Sequence, residues 1–495
     1  MTQTRHSYAV MGTRDHIGKV VTELLLQIGN QVRGIGLLAL SLTAALAFLL
    51  GCARAAEKEA STQASDTTTI EARVAARDSA PSPSAKPPAF PPPFHTESAT
   101  RFPKIIGWPE GKTPVGPAGF QVSVYADGLI HPRWLYVLPN GDVLVAESNT
   151  EKLGGEMPEP VRKAIEDAGL MGPSANRITL VRDANGDGKP EVHETFLAGL
   201  NQPFGMLLLG DWLYVANTDA LVRFPYREGQ TKITVKEKKV LDLPAGGYNN
   251  HWTRNVVASP DGSKLYVSVG SQTNVDEEGL DAKEPRRAAI LEVTPDGSGM
   301  RIFASGLRNP NGMDWAPGTR MLWTVVNERD ALGDDLVPDY LTSVREGAFY
   351  GWPYSYFGQN EDPRKKGERP DRVAKAVVPD LAIGAHTASM GLTFYDASAF
   401  PQRYRGGAFI GQHGSWNRSR FAGYKVIFVP FQAGRPSGPP EDFLTGFIAD
   451  EAKFEVYGRP VGLAVLPDGS LLVADDGGNV VWRVTYAGSG TTASR

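Results

Sequence analysis

Cysteine is nearly absent: the 495-residue chain has one, Cys52. A single thiol excludes an internal disulfide framework, a cysteine-based zinc site and a haem-attachment motif, so Cys52 has to be read by its position. Blocks of positive charge are missing too. The net charge is -4 and no long basic run occurs, which removes the footprint that phosphate neutralisation requires and excludes nucleic acid as a partner. Composition is otherwise ordinary, 41% hydrophobic and 21% charged, enough to bury a large core. What is plentiful is turn and packing material: 54 Gly, 37 Pro and 9 Trp, a balance that favours an all-β fold.

Arg33 precedes an apolar run, Gly34 to Leu50, that ends in Leu49-Leu50-Gly51-Cys52. The order is that of an export signal, and small or apolar residues before a lone Cys resemble a bacterial lipobox. On that reading residues 1–52 are a signal and lipobox segment, Cys52 is lipidated, and the protein is held on the periplasmic side of a bacterial cell envelope. The alternative is an uncleaved transmembrane anchor, since a run of about 17 apolar residues is near the lower limit for spanning a bilayer. Residues 53–101 have few large apolar side chains and end in a proline cluster, AKPPAFPPPF. Such a stretch cannot offset its ordering entropy and reads as a disordered tether.

Beyond residue 100 a turn rich in Pro, Gly, Asp or Asn followed by an alternating or apolar strand recurs six times: LPNGDVLVAES from Leu138, LLGDWLYVANT from Leu208, SPDGSKLYVSVGS from Ser259, APGTRMLWTVVNE from Ala316, YRGGAFIGQHG from Tyr404 and LPDGSLLVADD from Leu466. Six such units predict a six-bladed β-propeller over residues 102–487, with 488–495 a flexible tail. Ring closure would bring FQVSVYADGL, from Phe120, and NVVWRVTYAG, from Asn479, into one blade, leaving no free sheet edge. A β-sandwich pair or a parallel β-helix are the other folds compatible with the strands. The patch EPVRKAIEDAGL from Glu159 reads as a loop insertion.

Polar clusters unsuited to a strand core sit at the repeat edges: Asn201 to Gly205, Asn249 to Asn255, Gly306 to Met313, Asn327 to Asp335, His386 to Gly391 and Gln412 to Arg418, with Arg459 in the last repeat. The blocks GLRNPNGMDW, NERDALGDDL and EGAFYGWPY resemble the soluble glucose dehydrogenase and sorbosone dehydrogenase family, six-bladed propellers that use pyrroloquinoline quinone and calcium. NHWTRN and GQHGSWNRS are more similar to its sorbosone branch. The resemblance implies that His251 takes the proton of a sugar hydroxyl while hydride moves to the quinone. It implies that Arg308 and Asn309 lie beside the quinone, where a fixed cation stabilises negative charge on oxygen. Gln202, Arg329, Asp335 and Arg459 are its further implied cofactor contacts, Arg459 suiting a carboxylate, and the backbone carbonyls of Asp330 and Ala331 its calcium ligands. His386, His413 and Trp416 would line the substrate mouth.

The chain departs from the glucose enzymes in two places. Arg329-Asp330-Ala331 stands where they have Gln-Gly-Pro, and Ser271 where they have Asp; their cofactor-binding Lys has no clear match, with Asn417 or Arg418 available in its place. Separately, Asp183, Asn185, Asp187 and Glu194 have the spacing of an EF-hand calcium loop, although strands flank them, and an Asx-rich hairpin turn fits the same residues. The resulting expectation is an enzyme oxidising a sugar or aldehyde, aldose or sorbosone-like. No haem motif is present, so its electrons pass to an external envelope acceptor. A calcium-dependent lactonase and a noncatalytic binding propeller are the alternatives.

Overall fold

Each of the six repeat segments forms the second strand of its own four-stranded antiparallel sheet. The computed structural model describes residues 89–152, 159–247 and 249–488; the lipobox with Cys52, most of the tether and residues 489–495 lie outside them. The first sheet runs Pro132–Val137, Val143–Glu147, Arg177–Arg182 and Val192–Ala198. The second runs from Met206–Leu209 to Lys238–Asp242 and the third from Val256–Ala258 to Arg301–Ser305. The fourth runs from Asn309–Trp315 to Leu381–Ala385 and the fifth from Ser389–Phe394 to Glu441–Leu444. The sixth joins Pro460–Val465, Leu471–Asp475 and Val480–Tyr486 to Phe120–Ala126.

That last pairing is the expected closure: Phe120 lies opposite Tyr486 and Val122 opposite Val484, so the strands Phe120–Ala126 and Val480–Tyr486, from the two ends of the repeat region, share a sheet. The first strand of each sheet lies against that of the next, and Pro460–Val465 lies against Pro132–Val137, which completes the circuit.

The second strands are buried on both faces, and this explains their near-continuous apolar sequences. Val143 and Val145 pack with Leu472 and Ala474 of the sixth sheet. Leu144 and Ala146, on the opposite face by strand alternation, pack with Leu213 and Val215 of the second. Each such fully buried Val or Leu contributes about 1.5–3 kcal/mol. The Glu159 patch is a short helix, Glu159–Asp167, inside a connection of the first sheet, as an insertion should be. Among the described residues no helix is long and apolar enough to cross a membrane.

The packed chain begins before residue 102, where the tether was expected to end. Phe90 meets Phe357 edge-on at 5.1 Å, the Phe94 amide donates to Leu332 O, and Phe102 stacks on Trp416. Two of the few aromatic side chains of this Pro-rich stretch, Phe90 and Phe102, find ring partners, so its low mean apolarity understates its packing.

Candidate functional site

Because first and second strands are antiparallel, the start of one and the end of the other share an edge: Pro132 lies opposite Glu147, Asn309 opposite Asn327, Ser389 opposite Gln412 and Pro460 opposite Asp475. The expected site residues occupy this edge, just before a first strand or just after a second. His131, Gln202 and His386, each within four residues of the start of a first strand, all have positive φ (49°, 46° and 61°). Strain of about 1–3 kcal/mol per such residue is typical of functional sites.

The His251 ring has its Nδ1 2.9 Å from Ser271 O and 3.0 Å from Ser271 Oγ. The Ser271 hydroxyl itself donates to Thr273 O, so Nδ1 must carry the hydrogen and Nε2 keeps its lone pair. Ser271 thus holds the ring without a charge, where the glucose enzymes have a carboxylate. Burial, reinforced by the Arg308 cation, pushes His251 down to about 3. From below, the buried Arg254 guanidinium donates to His251 O at 2.6 Å, to Thr253 O and to Pro244 O. Gly270 completes the fit, since a Cβ there would lie 2.4 Å from Asn309 Oδ1 and 2.5 Å from His251 Cβ.

Arg308 is fixed by Asn274, which receives its Nε and Nη2, by Glu328 O at 2.7 Å and by Asp330 Oδ2 at 3.0 Å. Trp352, from EGAFYGWPY, also donates to Asn274 O, so two of the distinctive sequence blocks meet at one support. Asn309 Oδ1 is buried without a partner among the described residues. Burial alone would raise Asp330; Arg308 and His386 outweigh it and hold the carboxyl well below its usual range. Asp330 Oδ1 accepts from Asn417, whose amide also meets His386 Nδ1 at 3.0 Å, while His386 Nε2 donates to Gly333 O. Asn417, one of the two candidates to replace the missing Lys, therefore sits within the group.

A second charged group lies on the same edge. Asp476, fully buried, accepts Arg459 Nε and Nη2 at 3.0 and 3.1 Å, has Arg133 Nε at 3.0 Å and His413 Nε2 at 2.9 Å. Two guanidinium cations share one carboxylate, and burial together with these cations pushes His413 down to about 4. The Arg133 guanidinium lies 5.5 Å over the Trp252 ring, beside His251. Arg133, His131 and Asp476 were missed from sequence; their signal was position, since HPRW opens the first repeat where RN and RP open the fourth and last.

The remaining expected residues have these partners. Arg329 is buried, and its guanidinium pairs with Asp362 at 3.2 Å. Asp335 is half-exposed on the rim and pairs with Arg418 at 2.8 Å. Gln202 donates from its amide to Asn149 O at 2.7 Å and borders a cavity of about 500 Å³ shared with Asn249 and Trp252. Asp330 O accepts from Asn274, whereas Ala331 O accepts no hydrogen bond among the described residues.

The EF-hand spacing needs correction. Glu194 lies within the strand Val192–Ala198 opposite Leu180, and Glu191 instead joins Asp183 and Asp187, their carboxylate oxygens within 4.8 Å of one another. The strand begins too early for the twelfth position to return to the loop. Asp183 accepts the amides of Gly186, Asp187 and Gly188, and Asn185 accepts that of Asp187, which is the hydrogen bonding of an Asx-rich turn.

The family described as Glucose / Sorbosone dehydrogenase matches residues 213–415, and one described as TrAA12-like matches residues 355–487. An uncharacterized protein of Borreliella burgdorferi is 30% identical over 305 residues, spanning 59% of this chain and 78% of the relative. Aldose sugar dehydrogenase YliI of Escherichia coli is 28% identical over 308 residues, spanning 58% and 76%. The fold is that of the calcium structure of a Trichoderma reesei carbohydrate-active enzyme of family AA12, with TM-score 0.61, 18% identity and coverage of 78% of this chain and 99% of that one. It is shared with the holo pyranose dehydrogenase PQQ domain of Coprinopsis cinerea, with TM-score 0.60, 21% identity and coverage of 78% and 100%. With His251, Arg308 and Asn309 gathered on one edge and these relatives alongside, the chain belongs to the glucose/sorbosone dehydrogenase family.

Proposed function

We propose that this protein is a pyrroloquinoline quinone-dependent dehydrogenase that oxidises a sugar or aldehyde at the edge where its six sheets, read as six propeller blades, bring their first strands together. The observation that carries the reading is His251, neutral and fixed in one tautomer, beside the anchored cation of Arg308. The surrounding residues fit a planar tricarboxylate. Arg133 and Arg459 offer two cations against one carboxylate, Asn309 Oδ1 has no partner among the described residues, and Gly270 leaves room that a Cβ would fill. Arg459, Arg133, Arg308, Asn309 and Gln202 would hold the quinone, which supplies the hydride acceptor when bound.

The chain's own part is proton transfer and orientation. His251 Nε2 accepts the substrate hydroxyl proton, Ser271 keeps Nδ1 protonated, and Arg254 fixes the backbone beneath the ring. For calcium, Ala331 O accepts no hydrogen bond among the described residues, and Asp330 O is shared with Asn274. Two carbonyls are fewer than the six to eight oxygens that calcium takes, so the cofactor and water would complete the shell. Electrons leave to an external acceptor, and Leu49-Leu50-Gly51-Cys52 supports attachment at the cell envelope.

Reconstitution of the purified protein with pyrroloquinoline quinone and calcium, followed by dye reduction with aldoses and sorbosone, tests the reading. Saturable, sugar-dependent reduction is expected. Lactone hydrolysis without the quinone, or no cofactor binding, would overturn it.

A further inference from the structure

Residues 94–102 contribute nothing to the six sheets, yet they touch both loops that build the Asp330 side of the site. The contacts to the first loop fall on three consecutive residues. The Phe94 amide donates to Leu332 O at 2.9 Å, Ser98 Oγ accepts the Gly333 amide at 3.2 Å, and Thr96 Oγ1 accepts the Asp334 amide at 2.7 Å. Gly333, at φ 103°, lies so close that a Cβ on it would be 2.7 Å from Thr96 O. The second loop is held by the Arg101 amide, which donates to Trp416 O at 2.7 Å, and by Phe102, stacked on the Trp416 ring at 5.8 Å and 12°.

The two loops meet at the site. Asn417, next to Trp416, donates to Asp330 and contacts His386, and His386 donates to Gly333 O. Arg418 Nε donates to Asp334 O. The peptide amides of Gly333 and Asp334 have no other acceptor among the described residues, so the arm's two hydroxyls are what fixes that peptide pair. Displacing it would move Gly333 O, hence His386, and the adjoining Ala331 carbonyl.

We propose that residues 94–102 form a positioning strap for the cofactor side of the site, with Thr96 and Ser98 acting through the 332–334 backbone. This rests on the quinone-dependent reading above. Neither residue touches the reacting atoms, so their effect falls on cofactor affinity rather than on the chemical step.

The test uses the full chain with Thr96→Val and Ser98→Ala combined, and Thr96→Ser with Ser98→Thr as the conservative pair. Pyrroloquinoline quinone with calcium is titrated by fluorescence, kcat is measured at saturating cofactor, and amide exchange is followed at Gly333 and Asp334. Loss of both hydroxyl acceptors should weaken quinone binding about tenfold, accelerate exchange at the two amides, and leave kcat within about twofold, since the base and cation are untouched. The conservative pair should restore affinity. Wild-type binding with unchanged affinity in the double variant would overturn the strap alone, as would an equal fall in kcat and affinity. Failure of the wild type to bind quinone would overturn the parent reading and the strap's role with it.

Discussion

Replacing Asp476 by Asn removes one negative charge without changing shape, at a point where the charge has two buried cations to balance. Asp476 is fully buried, as is Arg459, and Arg133 nearly so. Asp475 offers no substitute, because its oxygens accept the amides of Arg459 and Gly478 and the indoles of Trp108 and Trp482. Breaking a buried pair costs about 3–5 kcal/mol, most of it from the charge left unpaired. One retained amide oxygen and two stranded guanidinium groups place this case at about 4 kcal/mol. With an unfolding entropy of about 2.1 cal/mol/K per residue over roughly 390 residues, that is a Tm lowered by about 5 °C. Asp468→Asn is the control. Its pair with Arg483 is half-exposed on the acid's side, so a loss under about 1 kcal/mol and about 1 °C is expected.

The pH dependence checks the cause. Burial opposes ionisation of Asp476, but Arg133 and Arg459 outweigh it and hold its carboxyl well below the usual range. Its stabilisation is therefore present above the unfolded value near pH 4 and is lost as pH falls through the lower folded value. The gap between wild type and Asp476→Asn should be full at pH 7 and narrow below about pH 4. Calorimetry of the apo protein across that range is the assay. A variant that melts with the Asp468→Asn control, or a gap unchanged in acid, would refute the reasoning.

His251 is held down to about 3 by burial and Arg308, and a base works only when deprotonated, so kcat/KM should hold as pH falls below 6.5, with its acid limb well under that value; a limb at 6.5 would mean an unperturbed ring. Gly270→Ala places a Cβ against Asn309 and His251. It should cost about 1–3 kcal/mol in stability and weaken quinone binding at least about tenfold, read by melting and by titration. Arg254→Met leaves the His251, Thr253 and Pro244 carbonyls without their donor, and should lower kcat with a smaller change in cofactor affinity, measured by steady-state kinetics at saturating quinone.

The scaffold was legible because its signal repeats. Six turn-and-strand segments each became the second strand of a sheet, and the pairing of Phe120 with Tyr486 followed from the need to leave no free edge. His251, Arg308 and Asn309 were legible through their blocks, and the structure gathers them on one edge. Arg329 came only with its block, and adjacency to Asp330 does not give a side chain's partner. Both residues lie beyond the strand Leu322–Asn327, and in the structure the Arg329 guanidinium pairs with Asp362. Glu194 was misplaced because spacing alone cannot see that a ladder begins at Val192. Asp476 closes the repeat LPDGSLLVADD and Arg133 lies in HPRW, but neither stretch alone marks a charged pair. They became visible only when the first and last repeats were brought side by side, which no local window contains.

The central claim is that His251 accepts the substrate proton beside a bound quinone, and single-turnover reduction tests it most directly. Wild type and His251→Gln are loaded with pyrroloquinoline quinone and calcium, mixed with an aldose, and followed by the absorbance of the cofactor. The account predicts equal loading and reduction slower by about 10²–10⁴ in the variant. Equal loading with an unchanged rate would contradict it.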